Sequence, residues 1–196
     1  MGLIALGAGI CSAANYARDR TTGFILLAES RIGKRRYLIA RSLSSSVSTG
    51  MAAALAVLLF FVFCLFQTHG LFYADVAQWY FLKNLLDQGM FGLWIVIIVL
   101  IEFMYGMLLG GCGVLATSFL PNRYIGYTMP FIGLFLWAQI CKTLQLSVWI
   151  NPYELAKCKF FFPSTAETVG VYFAALIGTT AILLIIFVIR GLKEAK

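Results

Sequence analysis

Charged side chains are scarce in this chain. Only 12% of its 196 residues are Asp, Glu, Lys or Arg, whereas 61% are hydrophobic, and the mean hydropathy is +0.90. A soluble domain carries about 25% charged residues, which keep its surface solvated. With so little charge the chain cannot cover a water-facing surface over most of its length. The composition therefore excludes an ordinary soluble domain and predicts a protein whose solvent is largely lipid.

Histidine and catalytic motifs are also nearly missing. His69 is the single histidine, so the two-histidine HExxH zinc motif cannot be built. The one Gly-Lys pair, Gly33-Lys34, has Ala28 where a P-loop needs its first glycine and Arg35 where it needs Ser or Thr. A G-x-S-x-G nucleophile elbow is absent as well. We therefore predict that the chain is not an enzyme and holds no nucleotide itself.

Cysteine spacing argues against a metal centre. The chain has five cysteines, and no two of them are spaced as CxxC: Cys11, Cys64, Cys112, Cys141 and Cys158. Four of them lie in apolar runs, where cysteine behaves as a small hydrophobic residue. We expect no metal and no cofactor to be held by this chain.

The net charge of +7 is distributed as in a membrane protein. Basic residues lie beside the apolar runs, so we predict no nucleic-acid partner. Most of them fall on one side of the membrane if residues 17–41 are cytoplasmic, and only Lys83, Lys142, Lys157 and Lys159 fall on the other. The positive-inside rule then predicts an outer N-terminus and a cytoplasmic C-terminus. We expect a multi-pass protein of the cell membrane.

The apolar runs predict one all-α polytopic transmembrane domain over residues 1–196. Five helical segments cross the bilayer, at about 1–16, 38–66, 90–120, 124–140 and 165–189. The outer loops, about 67–89 and 142–168, each have the pattern of a short interfacial helix, near 72–86 and 152–159. The first run is short, because 16 residues cover only about 24 Å.

Residues 17–41 form a charged island around a short apolar patch. Phe24, Leu27 and Ala28 share one helical face, and Arg31 follows them. This pattern is typical of a helix that rests on the inner leaflet, where basic residues attract anionic lipid. It is equally typical of a helix that inserts its apolar face into a groove on a soluble partner.

Two features of the third apolar run, residues 90–120, indicate a functional or a packing role. Glu102 lies about 18 Å into the run that begins at Met90, near mid-membrane. Such a residue marks either a transport pathway or a polar pair, here with Tyr105, Gln139 or a neighbouring subunit. Gly106 and Gly110 have the spacing of close helix packing, within the bundle or at a dimer seam.

In order, these features resemble the membrane subunits of type-2 ABC exporters. The resemblance rests on the turn and short apolar helix RDRTTGFILL at residues 18–27, the basic segment 31–41, the turn Pro121-Asn122-Arg123, and Asn151-Pro152 before the last run. It covers essentially the whole chain as a pattern of weak motifs. The family has six spans, so the resemblance implies that the first span is lacking here.

The resemblance implies a permease subunit of an ATP-driven exporter. Its coupling helix would be roughly residues 23–31, with Phe24, Ile25, Leu27, Ala28 and Arg31 resting on a separate ABC ATPase subunit that carries ATP and Mg²⁺. A second permease copy, identical or related, would complete the substrate path. The alternative is a nucleotide-independent carrier that uses Glu102, or a membrane interaction or immunity protein.

Overall fold

The structure is a computed structural model that describes residues 19, 22–67, 82–119, 123–145 and 165–193. Over these ranges it is helical and has no strand, which confirms the predicted all-α class. The helices are α1 (Phe24–Ile32), α2 (Lys34–Gln67), α3 (Lys83–Asp87), α4 (Phe91–Phe119), α5 (Arg123–Thr143) and α6 (Thr165–Lys193).

Three of these helices are long and apolar enough to cross a membrane, over residues 34–66, 91–119 and 166–193. Each is about 40 Å long or more, which exceeds a hydrocarbon core of about 30 Å. The chain is therefore a multi-pass membrane protein. The predicted first segment and the outer helix near 152–159 lie outside the described residues, as does most of the helix predicted near 72–86, of which α3 is the described part.

The fourth predicted run corresponds to α5, which is not among the three long apolar helices. It spans 21 residues and contains Pro130, and Arg123, Gln139 and Lys142 make it more polar than its neighbours. The five-span topology remains a prediction, with three of its segments accounted for.

Helix α2 begins at Lys34, earlier than the predicted start near Tyr37 or Leu38. Gly33 interrupts the helical path for one residue, with φ 83° and ψ 139°, and the N–H of Tyr37 already donates to the carbonyl oxygen of Gly33. Helix α6 extends past the predicted Ile189 to Lys193. Its last turn carries Arg190 and Lys193, and cations are favourable at a helix C-terminus.

Helix α4 is the centre of the bundle, because α2, α5 and α6 all pack against it. One buried cluster joins α4 to its neighbours near its start, around Trp94, Phe61, Leu86 and Tyr172. A second, which we call the α1-side cluster, consists of Tyr37, Leu38, Val114 and Phe187. The outward faces of α2 and α5 are largely apolar, as expected for helices that face lipid.

Several hydroxyl side chains in the long helices donate to carbonyl oxygens of their own helix, whereas the buried Oγ atoms of Ser45 and Ser46 have no hydrogen-bond partner among the described residues. Thr49 Oγ1 donates to the Ser45 carbonyl oxygen at 2.9 Å, and Thr180 Oγ1 to that of Leu176 at 2.7 Å. These bonds satisfy the hydroxyl hydrogen without a partner helix. Hydroxyl groups bonded in this way can therefore lie in tightly packed apolar helices at low cost.

Candidate functional site

Helix α1 is a short element set between two glycines. Gly23 and Gly33 have φ values of 71° and 83°, in the left-handed region that favours glycine. A Cβ atom at either position would meet nothing within 4 Å, so backbone conformation and not crowding explains both residues. The N–H of Gly33 donates to the Glu29 carbonyl oxygen at 2.9 Å, which closes the C-terminus of α1. The chain thus turns sharply into α1 and out of it.

The inner face of α1 rests on the α1-side cluster. Ile25 and Ala28 are half-buried and pack against its buried residues. Because the cluster draws on α2, α4 and α6, this contact holds α1 against the ends of the three long helices.

The side of α1 that faces away from the rest of the chain, which we call its outer face, is apolar and exposed. Phe24, Leu26 and Leu27 are 54%, 72% and 64% exposed, respectively. Arg31 is also exposed, and Arg35 and Arg36 are exposed at the start of α2. The result is a small apolar surface beside exposed positive charge. An apolar helix face with a basic rim suits either a groove on a protein partner or an anionic leaflet.

The structure divides the five residues predicted for the coupling helix. Phe24, Leu27 and Arg31 are exposed and can touch a partner, whereas Ile25 and Ala28 face the chain's own core. Leu26, the most exposed large residue of α1, is absent from the predicted set. The apolar patch is continuous from Phe24 to Ala28, so the sequence alone gave no signal for which of its sides faces inward.

Glu102 lies in α4 and is 8% exposed. Its Oε2 atom has no hydrogen-bond partner among the described residues. Of the partners considered from the sequence, Tyr105 is buried in the same helix, whereas Gln139 is exposed on α5. A buried carboxyl group at this depth is costly, so it is the second candidate for a functional residue.

Gly106 and Gly110 lie at the contact between α4 and α2. A Cβ atom on Gly106 would lie 2.9 Å from the Cα of Gly50 and 3.0 Å from the carbonyl oxygen of Thr49. One on Gly110 would lie 2.8 Å from Thr49 Oγ1. The two backbones therefore touch within one chain, and these glycines belong to the scaffold that positions α1.

No described His, Cys, Asp and Glu residues form a group of three that could hold a metal ion. Comparison of the chain with protein-family profiles, curated proteins and solved structures finds no match. The outer face of α1 and the buried Glu102 are the candidate functional features among the described residues.

Proposed function

We propose that the chain is the permease subunit of an ATP-driven exporter, with α1 as its coupling helix. The observation that carries the proposal is the two-sided character of α1. Its inner face is held by the ends of the membrane helices, and its outer face presents exposed apolar residues beside Arg31. A helix built in this way can receive force from a soluble partner and pass it to the helices behind it.

In this scheme the partner is a separate ABC ATPase subunit that binds ATP and Mg²⁺. The chain crosses the cell membrane five times, with α1 and the C-terminus in the cytoplasm. Two permease copies, identical or related, form the substrate path between them. ATP-driven closure of two ATPase subunits moves the paired permease subunits through their coupling helices.

The test is the double variant Phe24→Asp and Leu27→Asp, with an ABC ATPase encoded beside the chain's gene as the partner. Two buried charges at the contact should weaken the complex by at least about 30-fold, because a single interface hot spot contributes about 2 kcal/mol or more. The affinity of the ATPase for the chain in lipid nanodiscs measures this.

Tyr124→Asp is the control, because Tyr124 is exposed in the first turn of α5 and is not part of α1. It introduces one aspartate where the double variant introduces two, and it should leave the affinity unchanged. Unaltered binding by the α1 double variant would refute the coupling-helix assignment.

A second candidate function follows from Glu102. Its burial and its unpartnered Oε2 atom favour a carrier in which this carboxyl group takes up and releases a proton. Glu102→Gln should then abolish transport driven by a proton gradient in proteoliposomes. Glu167→Gln, an exposed change in the first turn of α6, should not. Gradient-driven transport that survives Glu102→Gln excludes this candidate.

A further inference from the structure

The segment before α1 is tied to α2 by an ion pair. Asp19 Oδ2 lies 2.9 Å from Arg41 Nη2, and the two side chains are only 22% and 25% exposed. Thr22 Oγ1 donates to the Asp19 carbonyl oxygen at 3.5 Å, which links Asp19 to the turn that opens α1. The ion pair therefore joins the beginning of α1 to a point on α2 that lies beyond the α1–α2 junction.

These connections close a small triangle. Its first side is α1, about 14 Å long, and its second is residues 34–41 of α2, about 12 Å long. Gly33 forms the corner between them, and the Asp19–Arg41 ion pair completes the third side. Nothing lies within 4 Å of a Cβ atom placed on Gly33, so the corner itself is not crowded.

The apolar support of α1 is slight by comparison. No residue of α1 is fully buried, and only Ile25 and Ala28 are packed against the α1-side cluster. A glycine corner with such support fixes the angle between α1 and α2 weakly. In the Asp19–Arg41 contact, Asp19 lies before the first residue of α1, so it is farther from Gly33 along the chain than any residue of α1.

We propose that Asp19 and Arg41 are positioning residues for α1. Their ion pair fixes the angle of α1 about Gly33, so that force on the outer face of α1 moves α2 and is not lost in rotation at the corner. This inference rests on the proposed function, in which the force comes from the ATPase. Neither residue has to touch the ATPase itself.

Amide hydrogen exchange of the full chain in nanodiscs tests the Asp19–Arg41 ion pair, which we call the tie, without any ATPase. Asp19→Asn and Arg41→Gln should each speed exchange over residues 24–32 by about two- to fivefold, the range for a partly exposed ion pair. The charge swap Asp19→Arg with Arg41→Asp should restore the wild-type rate. Glu29→Gln removes an acid of α1 that makes no ion pair with another described residue, and should change nothing.

Salt provides a measurement on the unaltered chain. Raising NaCl from about 0.1 M to about 1 M shortens the Debye length from about 10 Å to about 3 Å. Exchange in α1 should then rise, whereas exchange in the buried middle of α4 should not. The tie is refuted if the exchange rate of α1 responds neither to salt nor to the two single variants. It is also refuted if the charge swap speeds exchange by the combined effect of the two single variants.

Coupling is measured with the ATPase added. Loss of the tie should lower the kcat for ATP hydrolysis that the ATPase reaches when bound to the chain. The ATPase concentration that half-saturates the chain should stay unchanged. The charge swap should restore kcat. If the single variants loosen α1 yet keep the wild-type kcat, the positioning role is wrong and the proposed function stands. If no ATPase binds the wild-type chain, the proposed function fails although the tie is real.

Discussion

Replacing Gly106 by alanine is expected to destabilise the folded chain by about 1–3 kcal/mol, the usual cost of overpacking a close contact. The new methyl group would lie 2.8 Å from the Cβ of Ala53, 2.9 Å from the Cα of Gly50 and 3.0 Å from the Thr49 carbonyl oxygen. Two of these three atoms belong to the backbone and cannot rotate away. Helices α2 and α4 would therefore have to move apart along their contact.

The same substitution at Gly178 should have the opposite sign. Gly178 lies inside α6, is exposed, and has nothing within 4 Å of a Cβ position. Alanine there removes the entropic cost of a helical glycine and should stabilise the chain by about 0.5–1 kcal/mol. Unfolding in mixed detergent micelles, followed by the loss of helical circular dichroism, compares the two variants. Equal shifts in the same direction would contradict the close α2–α4 contact.

The position of the long helices was readable from the sequence, because the membrane forces long apolar runs to be helical. The predicted bounds of the third run, 90–120, differ from those of α4 by one residue at each end. The spacing of Gly106 and Gly110 also indicated close packing. What the spacing could not supply was the partner surface, because Gly50 and Thr49 are brought to α4 only by the fold.

The orientation of α1 was not readable. Phe24, Ile25, Leu26 and Leu27 are all apolar, so no polar face marks the exposed side. Their roles are set by the α1-side cluster, which brings together residues distant in sequence and against which Ile25 packs only in the folded chain. The Asp19–Arg41 ion pair was not readable either, because several basic residues lie near Asp19 in sequence and only the folded chain brings Arg41, farther along, beside it.

The scaffold and the candidate site depend on each other through α4. The α2–α4 contact at Gly106 and Gly110 fixes the direction of α2, and α2 carries Tyr37, Leu38 and Arg41 to the underside of α1. A substitution that separates α2 from α4 should therefore displace α1, although the substituted residue does not lie in α1. This separates scaffold variants from the Phe24→Asp and Leu27→Asp pair, which should leave stability unaltered.

Replacing Trp94 by alanine is expected to cost about 3–5 kcal/mol of folding free energy, the range for deleting a large buried aromatic side chain. Trp94 is 1% exposed, and its ring centroid lies 5.8 Å from that of Phe61 on α2 and 5.8 Å from that of Phe91 on α4. The same cluster includes Leu86 of α3 and Tyr172 of α6. Membrane helices associate through packing contacts, so a cavity at this junction loosens four helices at once.

Trp137→Ala is the matched control for that change, because Trp137 lies on α5 and is 43% exposed. Its contacts on the open side are replaceable by lipid, so its loss should cost clearly less than the loss of Trp94. Trp94→Phe keeps an aromatic ring in the cluster and should fall between the two. Detergent-induced unfolding of all three variants gives the comparison. Equal losses for Trp94→Ala and Trp137→Ala would show that the cluster around Trp94 does not hold the helices together.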